Sequence, residues 1–213
     1  MPQLIGVVLA GGRGSRFGKT KGDLILEGTT LADRAASALR PLCGSTLISI
    51  SAGGQNPAPG FRTVEDSPPP GRGPLAGLLA AYDSTGKADL LVLACDYPRV
   101  STRLLQEVVS AIGEEDDLVI VTDRQGRDHP LVGFWRRSAE RHVRAAMEER
   151  TYKVRALLAE VNVRRVGPVE LAGFDLDETL LNVNTIEDLE ALGYDSRSST
   201  SLRAFQKRST DEI

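Results

Sequence analysis

A three-layer α/β fold on a mostly parallel sheet is what this sequence predicts, and three observations predict it. Short runs such as Ile5–Ala10, Asp89–Cys95 and Leu118–Thr122 are almost continuously apolar. That is the pattern of strands buried on both faces. These runs alternate with segments of helical periodicity, the order expected of βαβ units joined by right-handed crossovers. The first run also leads straight into a glycine-rich turn, and ligands in such folds gather at the carboxyl ends of the strands.

After the strand at Ile5–Ala10, Thr30 is placed to cap a helix over Leu31–Leu39, whose Leu31, Ala35, Ala38 and Leu39 share one face. Strands are expected at Thr46–Ala52 and Arg62–Glu65. Gly73-Pro74 opens a helix over Leu75–Tyr82, because proline suits the first helical position. The strand Asp89–Cys95 comes next, and Ser101 caps a helix over Arg103–Ile112. Leu118–Thr122 and Leu131–Trp135 complete the strands, with helices at Ser138–Glu149 and Val154–Val161. Thr185-Ile186-Glu187-Asp188 reads as a capping signal for a last helix over Leu189–Leu192, which Gly193 stops. Residues 1–195 are expected to form one domain, and 196–213, rich in Ser, Thr and charge, a disordered tail.

Composition narrows the function classes. The 213 residues carry 26 Lys plus Arg against 29 Asp plus Glu, a net charge of −3, so no overall basic field favours nucleic acid. The apolar stretch at the start is far shorter than the ~20 residues a membrane span needs, so no membrane partner is expected. Cys43 and Cys95 form neither a CxxC pair nor a disulfide framework, which points to a reducing, cytoplasmic setting.

Leu9–Lys21 carries the chemistry. It reads LAGGRGSRFGKTK, with four glycines, four cations and no acid. Glycines let backbone amides approach a ligand closely, and successive free N–H groups make an anion-binding concavity. Arg13, Arg16, Lys19 and Lys21 add positive charge, so a triphosphate or pyrophosphate site is expected. Two familiar phosphate motifs do not fit. Three residues separate Gly14 from Gly18, and five separate Gly12 from Gly18, where the P-loop needs four. The third glycine of GxGxxG would have to stand at Phe17.

A basic loop also needs an acidic partner. Asp96 follows the apolar run Leu90–Cys95, and Pro98 prevents the strand from continuing. A carboxylate at that edge suits Mg²⁺, which takes one or two carboxylates plus substrate phosphates. The competing role for Asp96, capping the next helix, is contested by Ser101. Asp66 likewise ends a short strand, where it also reads as a turn-initiating residue.

LAGGRGSRFGKTK resembles the LAGGxSxRMGxDK signature of the MobA-like nucleotidyltransferases, which make the dinucleotide form of the molybdenum cofactor. Further segments resemble that family in the same order: Glu65-Asp66-Ser67, Gly73–Leu78 (GPLAGL), Leu93–Pro98 (LACDYP), Asp128–Leu131 (DHPL) and Asn182–Thr185 (NVNT). The resemblance spans Ile5 to Leu192. Phe17 stands where the family has Met, Thr20 where it has Asp, and Ser51 where it often has Asn.

The resemblance implies a Rossmann-like nucleotidyltransferase fold and a Mg²⁺-dependent transfer of GMP from GTP to the phosphate of molybdopterin, releasing pyrophosphate. It implies that Leu9, Ala10 and Gly11 contact the base and ribose, that Gly12 and Asp66 contact the nucleotide, that Ser51 can hydrogen-bond a ribose or base, and that Gly77 lets a helix start close to the base. It implies that Arg16 and Lys21 serve the phosphates and that Asp96 is the magnesium ligand. Asn182 and Asn184 are candidate pterin ligands, or else support the metal site; Asn184 equally suits a helix cap. His129 either orients or binds substrate or is structural, and an isolated His before Pro is more often structural. Relatives transfer CMP to molybdopterin, or a nucleotide to a sugar or polyol phosphate, and Ser51 leaves the base open. A non-catalytic adaptor delivering cofactor would have no need of Asp96. The resemblance also suggests transient contact with cofactor-synthesis proteins or molybdoenzymes.

Overall fold

The computed structural model describes residues 3–11, 20–66, 71–184, 188–189 and 192. Seven strands form one sheet in the order β5-β4-β1-β6-β8-β7-β9. They are β1 (Leu4–Leu9), β4 (Ser45–Ile50), β5 (Arg62–Glu65), β6 (Asp89–Ala94), β7 (Leu118–Thr122), β8 (Asp128–Trp135) and β9 (Val163–Val166). A two-residue ribbon, β2 (Ile25–Leu26) with β3 (Thr29–Thr30), sits apart from it.

The helices are α1 (Leu31–Leu39), α2 (Pro74–Thr85), α3 (Thr102–Ser110), α4 (Glu140–Glu148), α5 (Val154–Leu157) and α6 (Leu176–Thr179). Two capping predictions are met directly. The Thr30 hydroxyl accepts from the Asp33 N–H and the Ser101 hydroxyl from the Leu104 N–H. Each satisfies one donor that the first helical turn would otherwise leave free.

The strand period of two divides the core. On β1, Ile5, Val7 and Leu9 pack with Leu75, Leu78 and Tyr82 of α2. The alternate residue Val8 and the following Ala10 pack with Leu31, Ala35 and Leu39 of α1. Both faces of the sheet are therefore covered, which is why the strand runs are apolar throughout.

β2, β3 and α6 were not expected, and three further elements differ from expectation. β8 starts at Asp128, earlier than Leu131, and runs antiparallel to both β6 and β7. Apolar periodicity carries no strand direction, so the reversal was not legible. β9 was missed because Arg164 and Arg165 face solvent on a short edge strand. The helix expected over Val154–Val161 stops at Leu157 and gives way to turns. The last predicted helix and the tail lie largely or wholly outside the described residues.

The reversal of β8 shapes the edge of the sheet where ligands gather. Leu93 of β6 pairs with Val132 of β8. The start of β8, Asp128–Leu131, therefore runs past the carboxyl end of β6 toward Asp96.

Candidate active site

A cavity of about 620 Å³ opens at the carboxyl ends of β1, β4, β5 and β6. Leu9, Ala10, Gly11, Lys21, Ser51, Asp66 and Asp96, all expected at the nucleotide, line it together. Gly12 and Arg16 lie outside the described residues. Gly77 is not on the wall but lies directly beneath it.

One end is built from β4, β5 and α2. The N–H groups of Ala10 and Gly11 both donate to the Ser49 carbonyl at 2.9 Å, and the Asp66 N–H to that of Ile50 at 2.9 Å. The buried Ser49 hydroxyl donates to Asp66 Oδ1 at 3.0 Å. Burial pushes the Asp66 carboxyl above its ordinary value, and the Ser49 hydroxyl works against that shift. Glycine at 77 makes the approach possible: a Cβ there would sit 2.3 Å from Ser49 Oγ and 3.2 Å from Asp66 Oδ1.

The other end is built from the turn after the glycine-rich loop and the end of β6. The Thr20 N–H and hydroxyl both donate to Asp23 Oδ2, at 3.2 and 2.6 Å, closing the 3₁₀ turn Lys21–Asp23. This presents the Lys21 ammonium between two acceptors, Asp96 Oδ2 at 3.2 Å and Asn184 Oδ1 at 2.6 Å. Asn184 reaches this position because the Val183 N–H donates to the Asp96 carbonyl at 2.8 Å and the Asn184 N–H to Asp188 Oδ2 at 2.7 Å. Ser101 caps α3, so Asp96 is free of that task.

Asp96 Oδ1 is buried and has no hydrogen-bond partner. A buried carboxylate oxygen is costly to leave unmet. Its chemistry fits a divalent cation whose remaining ligands are substrate oxygens and water. Among the described residues, no cluster of three or more His, Cys, Asp or Glu side chains is arranged to hold a metal. Cys95 also lines the cavity, but its burial drives the thiol well above its ordinary value and leaves it protonated.

A second cavity, of about 360 Å³, lies beside the first and is lined by Tyr97, Asp123, Arg127, Arg155, His129 and Asn182 among others. His129 is held at both ring nitrogens: Nε2 is 3.2 Å from Asp123 Oδ2, and Nδ1 is 3.1 Å from the Tyr97 hydroxyl. Burial would raise the Asp123 carboxyl. The N–H groups of Arg127 and Gln125, the Arg127 guanidinium and His129 outweigh it and bring it down to about 2. The Asn182 side chain lines the same cavity, and its Oδ1 accepts from Asn184 Nδ2 at 2.7 Å. His129 is thus fixed between Asp123 and Tyr97, while Asn184 links Asn182 to Lys21.

Residues 6–166 match the MobA-like NTP transferase domain. The chain belongs to that family. It is similar to a probable molybdenum cofactor guanylyltransferase of Halalkalibacterium halodurans, with 30% identity over 190 residues covering 87% of this chain and 95% of that one. It is also similar to a molybdenum cofactor guanylyltransferase of Sinorhizobium fredii, with 31% identity over 193 residues covering 86% and 88%. Among solved structures it resembles molybdopterin-guanine dinucleotide biosynthesis protein A of Archaeoglobus fulgidus, with a TM-score of 0.69, 22% identity and coverage of 88% and 95%. That last likeness bears on the fold alone.

As a member of the MobA-like NTP transferase family, the chain is a nucleotidyltransferase. No described helix is long and apolar enough to cross a membrane. Membership sharpens the meaning of Gly77. Gly77→Ala is expected to force Ser49 and Asp66 apart. It should lower stability by about 1–3 kcal/mol and weaken nucleotide binding at least tenfold. Urea denaturation and titration with a fluorescent nucleotide check the two effects separately.

Three features escaped sequence reasoning. Arg72 sits on the cavity wall between two glycines, and its charge was legible but its destination was not. The Tyr97–His129 contact joins positions 32 residues apart, and Ser49–Asp66 joins positions 17 apart. No local pattern marks either pair.

Proposed function

We propose that this protein transfers GMP from GTP to the phosphate of molybdopterin, releasing pyrophosphate and forming the guanine dinucleotide cofactor. The observation that carries the proposal is the pair made by Lys21 and Asp96 at one end of a single cavity, with Asp66 at the other. The site is assigned to residues 1–195, acting in the cytoplasm with Mg²⁺.

The acceptor phosphate attacks the α-phosphorus of GTP. A P–O bond forms to the acceptor oxygen as the bond to the bridging α,β-oxygen breaks, and pyrophosphate leaves with that electron pair. The attacking oxygen is already anionic, so no general base is needed. That agrees with a site whose histidine is committed to Asp123 and Tyr97. Catalysis then rests on positioning and charge stabilisation. Lys21, and Arg16 from the loop, offset charge on the leaving pyrophosphate. Asp96 Oδ1 would hold Mg²⁺, which when bound supplies Lewis-acid stabilisation of the substrate oxygens.

Asp66 is assigned to the base. Guanine offers two adjacent donors, N1–H and the N2 amino group, to a carboxylate. Cytosine, uracil and adenine lack that pair. Ser51 lends a hydroxyl where the family often has an amide. Removing one partner of a buried, charge-assisted recognition pair is expensive. Asp66→Asn is accordingly expected to raise the GTP KM at least tenfold.

The raised Asp66 value fixes the pH behaviour. The folded chain binds this proton more tightly than the unfolded chain. The contribution to stability is therefore present at low pH and is lost as pH rises through the raised value. Binding runs the other way, since the ionised carboxylate is the acceptor. GTP affinity should begin to fall, on acidification, above the pH at which an ordinary aspartate titrates. Asp66→Asn should abolish that dependence.

The deciding experiment is pyrophosphate release by the purified protein with Mg²⁺ and molybdopterin, with GTP, CTP, ATP and UTP supplied separately. Release with GTP, accompanied by the guanine dinucleotide, is the expected result. Release with CTP alone would replace the proposal with cytidylyl transfer. Release that required a sugar or polyol phosphate would replace the acceptor. Tight nucleotide binding without release under any condition would favour a cofactor-delivering adaptor.

A further inference from the structure

Lys21 and Arg72 are the two cationic side chains among the described residues lining the main cavity. They stand in different circumstances. Lys21 is already bonded to Asp96 and Asn184. Arg72 makes no ion pair with any described residue, and its Nε is buried without a hydrogen-bond partner. Guanidinium N–H groups are obligate donors that never deprotonate in a protein. A guanidinium on a cavity wall with no ion pair among the described residues can turn its N–H groups to an anion in that cavity.

The backbone holds it there. Gly71 and Gly73, on either side, have φ of 89° and 68°, a region that residues with a Cβ rarely occupy. Gly73 also lies against the Tyr152 carbonyl, where a Cβ would come within 3.2 Å. The segment is therefore pinned against the start of the α5 region, and Arg72 is carried on the wall shared with Leu131 of β8. That wall is separate in sequence from the glycine-rich loop.

We propose that Arg72 binds the phosphomonoester of the acceptor. This rests on the nucleotidyl-transfer function proposed for the same cavity. Attack at a phosphorus atom proceeds in line, so the incoming oxygen and the departing pyrophosphate occupy opposite sides of it. Lys21 and the cations of the glycine-rich loop are assigned to the donor triphosphate and its leaving group. The incoming group is itself a phosphate dianion approaching a polyanion, and it requires a cation from another wall. Arg72 is that cation. Its planar fork matches two phosphate oxygens at once, which a lysine does not reproduce.

The test uses Arg72→Ala and Arg72→Lys in the full chain, with two readouts. In steady-state dinucleotide synthesis, Arg72→Ala should raise the molybdopterin KM at least tenfold while the GTP KM stays within twofold. Arg72→Lys should recover only part of the loss. In calorimetry with inorganic phosphate as the probe, binding should weaken at least tenfold in Arg72→Ala. A GTP KM that rises as much as the molybdopterin KM would overturn the proposal and move Arg72 to the donor. Unchanged phosphate binding and an unchanged molybdopterin KM would also overturn it. Should the parent bind phosphate through Arg72 yet make no dinucleotide from GTP and molybdopterin, the reading of the substrates fails while the phosphate site stands. Should the parent make dinucleotide with Arg72→Ala unaffected, the reverse holds.

Discussion

Asn in place of Asp96 is expected to lower the rate of nucleotidyl transfer about a thousandfold and leave the protein folded. The two halves of this expectation have different causes. Asn keeps the volume of Asp, and its amide oxygen can still accept from Lys21 Nζ, which lies 3.2 Å from Oδ2 in the parent. The pair is partly solvated, with side-chain exposures of 27% and 19%, so losing its charge changes stability by no more than about 1 kcal/mol. The site, in contrast, loses its one carboxylate at the reacting end. Charge placed ahead of the reaction in a shielded site is the main resource for phosphate chemistry, and single groups of this kind are worth about 10²–10³ in rate. Pyrophosphate release measures the loss, and urea denaturation confirms the fold. A rate within a few-fold of the parent would remove Asp96 from the reaction centre.

Lys21→Ala is expected to cost about a hundredfold in kcat/KM, equivalent to about 2.7 kcal/mol of transition-state stabilisation. Lys21 is the described cation that touches Asp96, and removing it leaves two acceptors, Asp96 Oδ2 and Asn184 Oδ1, without their shared donor. The loss should appear in both nucleotide affinity and turnover. Lys21→Arg should not restore the parent. Gly22, next to Lys21 in the 3₁₀ turn, is buried against Ala10, Pro57 and Ala32, and a planar guanidinium does not reproduce a compact ammonium between two acceptors. Steady-state kinetics of both variants, with GTP varied at saturating acceptor, distinguish these effects. A Lys21→Ala enzyme with unchanged nucleotide affinity and rate would refute the assignment.

Much of this arrangement was legible before any coordinates. The buried strands announce themselves because both faces are covered. Thr30 and Ser101 announce their helices because an N-cap hydroxyl has a local, sequence-adjacent task. Lys21, Asp66 and Asp96 were readable because each follows a strand that ends at the same sheet edge. What was not readable depends on neighbours distant in sequence. The direction of β8 leaves no trace in its apolar pattern. Its reversal nevertheless brings His129 to Tyr97 and Leu131 into the cavity. Gly77 looked like a residue that admits the base, but its hydrogen is needed for Ser49 and Asp66 to meet above it. The charge of Arg72 is legible in the sequence, but the wall that it occupies is not.

The side chains beyond Lys21 have a common polarity. Lys21 donates to Asn184 Oδ1, and Asn184 Nδ2 donates to Asn182 Oδ1. An ammonium can only donate, so it decides which end of the Asn184 amide faces it. A flipped Asn184 would set its nitrogen against the ammonium and its oxygen against the Asn182 oxygen. The lysine therefore acts on the two amides beyond it as a magnet acts on compass needles: its loss takes a charge from the site and, with it, the reference that orients Asn184 and Asn182.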